Sequence, residues 1–446
     1  GNNLLRRFIL AHHRPQPNGK PLTLPIVFGS WGGWSAAEHI QNINKIIDYE
    51  LPVGLYWIDA EWFGKGEWWY HAGDWRIKKD LYPRGFKPIS DLLHQNGKQL
   101  LVWFELFRIC KGTPWYQLKD RDNWLLELKN GEECFQEWRT NAKWPVPHDD
   151  PRWIHWESRR SQMTEDERLF NLGNPDARKF LTDFMFQKIE EFGLDWYRED
   201  ANIAPLEYWR EADETDRQGM TEIRYVEGLY KFWDDLLERY PHLKIDNCAS
   251  GGRRIDLETI GRSTVLHRTD WARSAIHAQC HSYGLFQWLP LHMAGRGAVP
   301  EKGNEYEIRS VMTAGLMTGL WDQKKGDLSQ DAIKMLDQYL DIQKYYYGDY
   351  YPLTPYSQEN SDWIAWQFDL PEEGDGMIQA FRREKSVYES SRLNLSGLEM
   401  EDVYVVTNLD TQQKTEMTGQ ELLETGLLVT IPERAGSALI TYKKKI

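Results

Sequence analysis

Beginning at residue 24, short apolar runs alternate with amphipathic stretches, and this alternation constrains the fold more than any other feature of the chain. Strands are expected over 25–29, 53–59, 99–105, 194–200, 243–248 and 263–270, with 286–291 and 315–321 as candidates for two more. Helices are expected over 36–49, 86–96, 175–192 and 221–239. In the first, Ile40, Ile43, Ile46 and Ile47 share one face, and Ser35 is placed to cap the amino end. Gly97 and Gly193 follow the second and third helices, where a left-handed residue closes a helix. Such repeats build a parallel sheet, and eight of them close into a (β/α)8 TIM barrel. After about residue 350 the period falls to two. Runs at 363–368, 377–382, 403–407, 427–431 and 438–442 read as an antiparallel β-sandwich.

The 446 residues divide accordingly into an N-terminal arm (1–20), a barrel (21–350) and a sandwich (351–446). The arm is polar, carries Pro15 and Pro17, and is expected to lie outside the core. No run of about 18 apolar residues is present to span a membrane. A net charge of −14 argues against nucleic acid or an anionic membrane as partner. Cys110, Cys134, Cys248 and Cys280 form neither a CxxC pair nor a zinc spacing and are expected as free thiols. His277 and His281 have metal-ligand spacing without a third ligand, and read as a polar helix face. The compartment is undecided: the chain starts Gly1-Asn2-Asn3 without a basic-then-apolar leader.

Four expected strands end in an acidic residue: Asp59, Glu105, Asp200 and Asp270. One such residue alone reads as a helix cap. Four together, flanked by Trp57, Trp62, Trp103 and Trp271, mark the barrel face where strand ends converge. The chain has 22 Trp, and indoles match the apolar C–H faces of sugar rings while offering an N–H donor. An irregular stretch over 114–168 carries Trp115, Trp124, Trp138, Trp144, Trp153 and Trp156. It reads equally as a wall over the site or as a self-packed insertion.

Paired carboxyls suit glycosidic-bond cleavage with retention. One attacks the anomeric carbon; the other, roughly 5–5.5 Å away, protonates the leaving oxygen and then activates water. Strand alternation puts Arg198, Asp200 and Asn202 on one side, so a cation keeps Asp200 ionised as a nucleophile requires. Asp270 is the expected acid/base. Alternation also puts Arg268 beside it, which would lower its pKa, while Asp200 would raise it.

Several stretches resemble glycoside hydrolase family 36 (clan D), the α-galactosidase or melibiase type. Arg198 to Asn202 fits the family's Lys/Arg-x-Asp-x-Asn nucleophile motif, and Cys248 to Asp256 fits Cys-x-x-Gly-Gly-x-Arg-x-Asp, with Gly251, Gly252 and Arg254 in place. Thr269-Asp270 stands where the family's acid/base Ser-Asp lies. Gly73-Asp74-Trp75 matches Gly-Asp-Trp, and Trp103 to Arg108 resembles Trp-Phe-Glu-Pro-Glu-Arg. The resemblance runs from about residue 5 to the end. It implies a catalytic barrel and sandwich, hydrolysis of terminal α-galactosides through a glycosyl-Asp200 intermediate, no metal or cofactor, and a carbohydrate partner, with a homo-oligomer left open. It implies substrate contacts from Asp59, Trp62, Trp75, Glu105, Arg198, Asn202, Cys248, Gly251 and Arg254.

The departures bear on which sugar fits. Asp59-Ala60-Glu61-Trp62 stands where the family has Asp-Asp-Gly-Trp, so one carboxylate for a sugar hydroxyl is replaced by Ala60. Leu106 and Phe107 replace a Pro and a second Glu, and Arg198 replaces the commoner Lys. Another α-sugar, such as N-acetylgalactosamine or a modified galactose, is therefore the alternative substrate. A transglycosylase and a non-catalytic sugar-binding protein are the remaining alternatives. Of the family's large N-terminal β-domain only a tail is expected here, near 4–13, the chain reading either as a fragment or as a shortened member.

Overall fold

The computed structural model of the chain describes residues 1–128, 167–270, 274–295, 305–318 and 330–445, with side chains from 333 onward in the last span. The parallel strands are β1 (Ile26–Ser30), β2 (Val53–Ile58) and β3 (Gln99–Phe104), followed, after a small antiparallel sheet of β4 (Arg108–Cys110), β5 (Leu125–Leu126) and β6 (Glu167–Phe170), by β7 (Trp196–Glu199), β8 (Lys244–Asn247) and β9 (Leu316–Thr318). Their order is β8-β7-β3-β2-β1-β9. Every pair is parallel, with Gly29 opposite Trp57, Trp57 opposite Leu101 and Trp103 opposite Arg198. Both faces of β1, β2 and β3 are buried, which explains their nearly continuous apolar sequences.

Between β8 and β9 the wall is, among the described residues, reduced to bridges. Asp246 bridges Thr264 and Val265 bridges His292, both parallel, and His267 bridges Ala294 antiparallel. The strand expected over 263–270 is thus irregular, because the Leu266 N–H donates to the Asp246 carboxylate instead of a neighbouring backbone. The strand expected over 286–291 is a turn: Trp288 and Leu289 bond back to Leu285, and its place in the wall is taken by 292–294. The start of the expected 315–321 strand is β9; Trp321 lies outside the described residues.

Helices form where the apolar period predicts them. The N-terminal helix is α1 (Asn2–His12). The next two are α2 (Ala36–Asp48), which begins in a Ser35–Glu38 capping box, and α3 (Lys87–Gln95). Then come α4 (Pro175–Phe192), closed by left-handed Gly193, α5 (Leu206–Ala212) and α6 (Met220–Arg239). After these are α7 (Leu257–Arg262), α8 (Ala275–Leu285), α9 (Glu305–Val311) and α10 (Gln330–Ile342). None among the described residues is long and apolar enough to cross a membrane.

The first residues differ from expectation. They form a helix, not an arm or a β remnant, and bury Ile9 and Arg6. The Arg6 guanidinium donates to the carbonyls of Phe286, Tyr346 and Gly348, and Arg7 pairs with Asp349. Those partners lie 280 to 342 residues away, a span local periodicity does not sample. Trp115 and Trp124 pack into the core against Phe180, while Trp138, Trp144, Trp153 and Trp156 lie outside the described residues.

The C-terminal strands are β10 (Asp349–Pro352), β11 (Trp363–Leu370), β12 (Asp375–Arg382), β13 (Ser390–Leu393), β14 (Val403–Asn408), β15 (Lys414–Thr418), β16 (Leu427–Thr430) and β17 (Gly436–Lys444). Six form an antiparallel sheet, β10-β11-β12-β17-β14-β15; β13 and β16 form the second layer. Period-two alternation splits the large sheet's faces. Ile364, Trp366, Phe368, Met377 and Phe381 join the barrel's core, whereas Ala365, Ile378, Ala380 and Ile440 pack beneath β13 and β16. The sandwich is thereby fixed to the barrel by a shared apolar core.

Candidate active site

Asp200 follows directly on β7, and its carboxylate is wrapped by donors. Oδ1 accepts from the backbone N–H of Ala201 (2.8 Å) and of Ser250 (2.9 Å); Oδ2 accepts from Asn202 Nδ2 (3.0 Å) and Trp103 Nε1 (3.2 Å). Burial alone would push this carboxyl up. The Arg198 charge and the N–H donors outweigh it and hold the group at about 2. Asp200 is therefore an ionised, oriented carboxylate at any ordinary pH.

Arg198 does not reach Asp200 directly. Its Nη1 pairs with Asp246, its Nε lies 3.8 Å from Asp59 Oδ2, and its guanidinium sits 4.3 Å over the Trp57 ring. Trp57 Nε1 in turn donates to Asp59 Oδ2 (2.8 Å), while Asp59 Oδ1 caps the Ala60 N–H. Burial raises the Asp59 carboxyl, Arg198 opposes it, and Asp200 adds to the rise. Arg198, Asp200 and Asn202 converge as alternation predicts, although the strand itself stops at Glu199.

Asp270 stands at the end of the irregular 264–270 segment with its side chain 57% exposed. The loop after β8 brings it towards Asp200. Ser250 donates to Asp200, and a Cβ on the next residue, left-handed Gly251 (φ +90°), would lie 3.3 Å from Thr269 Cα and 3.7 Å from Asp270 N. Gly252 N–H donates to the Arg268 carbonyl (3.0 Å). The close approach these glycines permit is thus to the segment carrying Asp270. Cys248, buried beneath this loop, accepts from Gly251 N–H, and burial pushes its thiol up.

Arg268 does not face Asp270. The irregular backbone breaks the alternation, and Arg268 turns inward to the Ala278 carbonyl and Ser282, where burial lowers it to about 9. His267 takes the place expected for it: His267 Nε2 lies 2.6 Å from Asp270 Oδ1 and holds that carboxyl below its ordinary range, against burial and Asp200. The i,i+3 spacing of a His and an Asp was the available sequence signal.

The other expected site residues are placed behind these. Glu105 is fully buried, ion-paired through Oε2 to Arg108 and bonded through Oε1 to the Asn202 N–H, so it fixes the loop after Asp200. Glu167 on β6, which the sequence reading missed, gives Arg108 its second carboxylate at 2.9 Å. Trp62 and Trp75 lie in an aromatic core with Phe63, Phe86, Phe104 and Phe192; Trp62 Nε1 is spent on the Trp103 carbonyl. Arg254 pairs with Glu199, on the side of β7 away from Asp200. Glu61 adopts φ +85°, where its own Oε2 accepts from Trp68 N–H and its Oε1 pairs with Lys78 at 2.6 Å. It is committed to those partners instead of replacing the carboxylate missing at Ala60. Trp271 lies outside the described residues. Among the described cysteines, Cys110, Cys248 and Cys280 are free.

Asp59, Asp200 and Asp270 thus lie at one end of a parallel barrel, with an antiparallel sandwich fixed to it. The Melibiase family model matches residues 135–301. Alpha-galactosidase 1 of Pediococcus pentosaceus is 22% identical over 90% of this chain and 52% of its own length. Alpha-galactosidase AgaA of Geobacillus stearothermophilus is 23% identical over the same shares. Among solved structures, the α-galactosidase of Lactobacillus brevis superposes with a TM-score of 0.77 at 18% identity, over 100% of this chain and 58% of that one. An AgaA variant in complex with raffinose gives 0.74 at 20% identity, over 95% and 56%. The chain is a relative of glycoside hydrolase family 36, the melibiase type, and spans about half the length of the curated relatives it matches.

Proposed function

We propose that this chain hydrolyses terminal α-galactosides as a retaining exo-α-glycosidase. The observation that carries the reading is the Asp200 carboxylate, held ionised by four donors and linked through Ser250 and Gly251 to a solvent-facing Asp270. Asp200 attacks the anomeric carbon as Asp270 protonates the departing oxygen. Asp270 then takes a proton from water, which displaces Asp200. Asp59, buttressed by Trp57, is the hydrogen-bond acceptor for sugar hydroxyls. Several relatives are named α-galactosidases, and one was crystallised with raffinose, which supports a galactoside as substrate. Ala60 favours a second reading, a differently substituted α-sugar, since its methyl accepts no hydrogen bond and Glu61 is engaged elsewhere.

Trapping with a 2-deoxy-2-fluoro α-galactoside followed by peptide mass spectrometry tests both points. The expected adduct is one fluorogalactosyl mass on the peptide containing Asp200, absent in D200A. Label on another carboxylate would remove Asp200 from the nucleophile's role; label only from an N-acetylgalactosamine analogue would select the second sugar.

A further inference from the structure

The Asp270 carboxyl poses a chemical problem. It is largely exposed and its proton affinity is lowered by an adjacent imidazole, yet an acid catalyst must carry a proton where the enzyme works. The imidazole supplies the answer through what it touches. His267 Nδ1 lies 3.1 Å from the Gly295 carbonyl, and Nε2 lies 2.6 Å from Asp270 Oδ1. A carbonyl only accepts, so Nδ1 carries a hydrogen. The short Nε2···Oδ1 contact then holds one further proton between two groups that can each bear it.

The backbone is built around this arrangement. Gly295 is left-handed (φ +70°), and a Cβ there would run into His267 Nδ1 and lie 2.6 Å from His267 Cα. A glycine at 295 is therefore required for its carbonyl to meet the ring. The His267–Ala294 bridge fixes the same two segments against each other. The charged groups facing the pair are Asp59, which the imidazole acts on, and Asp200 and Arg198, which act on the Asp270 carboxyl; the Arg268 side chain points away into α8.

We propose that the acid/base unit is the His267–Asp270 pair, with His267 a positioning residue that stores the proton Asp270 delivers. This rests on the reading of Asp200 and Asp270 given above. In the first step the Asp200 oxygen forms a bond to the anomeric carbon. The electrons of the breaking C–O bond go to the leaving oxygen, which takes the pair's proton through Asp270. What remains is neutral His267, protonated at Nδ1, beside the Asp270 carboxylate. In the second step a water oxygen bonds to the anomeric carbon, the Asp200–carbon bond breaks, and the water's proton returns to the pair.

His267→Gln tests this, because the amide still donates to Asp270 but stores no proton. The measurements are kcat/KM profiles from pH 4 to 9 with an unactivated galactoside and with a dinitrophenyl α-galactoside, whose departing phenolate needs no proton. The alkaline limb for the unactivated substrate is expected to move down by about one pH unit or more, a loss of about tenfold at pH 7. The dinitrophenyl substrate should lose little. An imidazole that only depressed Asp270 would make the limb move up. An upward shift, an unmoved limb, or an equal loss at all pH values for both substrates overturns the proposal. A readout independent of turnover keeps the two readings distinguishable. The Nε2-bound proton of His267 should give a strongly downfield NMR signal in the unmodified chain and lose it in D270N; persistence in D270N overturns the shared proton whatever the substrate proves to be.

Discussion

Asn202→Ala should make Asp200 easier to protonate, by an amount the geometry sets. The bond from Asn202 Nδ2 to Asp200 Oδ2 is 3.0 Å and is one of four to a buried carboxylate. A hydrogen bond to a charged group contributes about 1.5–3 kcal/mol, and one pKa unit corresponds to about 1.4 kcal/mol. The Asp200 carboxyl, at about 2 with all donors present, should therefore rise by roughly one to two units. The same shift has a stability counterpart. A depressed carboxyl stabilises the fold above its unfolded value, 3.8, and that contribution is lost as pH falls through about 2. It amounts to roughly 2 kcal/mol, of which the variant should lose half or more. The assay is a kcat/KM profile between pH 2.5 and 6 with a nitrophenyl α-galactoside, alongside urea unfolding at pH 3 and pH 7. The variant's acid limb should enter the window, and its stability deficit should be full at pH 7 and smaller at pH 3, where the contribution it lacks is already fading in the native chain. If kcat falls evenly across the window with no movement of the acid limb, the donors around Asp200 do not set its ionisation and the reasoning fails.

Arg108→Met would leave Glu105 and Glu167 buried together without their cation; urea unfolding should show a loss of about 3–5 kcal/mol at pH 8, shrinking at pH 5 as the carboxyls protonate. Asp369, raised to about 7 first by burial and then by Asp349 and Asp375, has the opposite linkage to Asp200. Its stabilising contribution is complete below 3.8 and is lost as pH rises through about 7, so D369N should gain on the native chain by a few kcal/mol between pH 5 and pH 8; an equal difference at both pH values would refute it.

Legibility in the sequence followed the range of the interactions involved. Ser35 with Glu38, the isoleucine face of α2 and left-handed Gly193 are local, and all were readable. The regular strands β1 to β3 were readable because both their faces are largely apolar. Segment 263–270 was misread because Asp246 replaces a ladder partner, and once the ladder is lost alternation no longer says where Arg268 points. Asp59, Asp200 and Asp270 were found as strand-end carboxylates. Glu105 and Arg254 were expected at the sugar from the family resemblance; their ion pairs with Arg108 and Glu199 were not legible, because sequence does not tell a buried ion pair from an exposed binding group. Glu167 was missed because it reaches Arg108 across 59 residues.

The Arg6 clamp has a consequence for the order in which the molecule can be finished. Its carbonyl partners at Phe286, Tyr346 and Gly348 emerge from the ribosome some 280 to 342 residues later. At about 5–20 residues per second, the first helix waits on the order of tens of seconds with Ile9 and Arg6 uncovered. The barrel's earliest segment is therefore among the last to become protected, and premature termination before Gly348 would strand it without its lock.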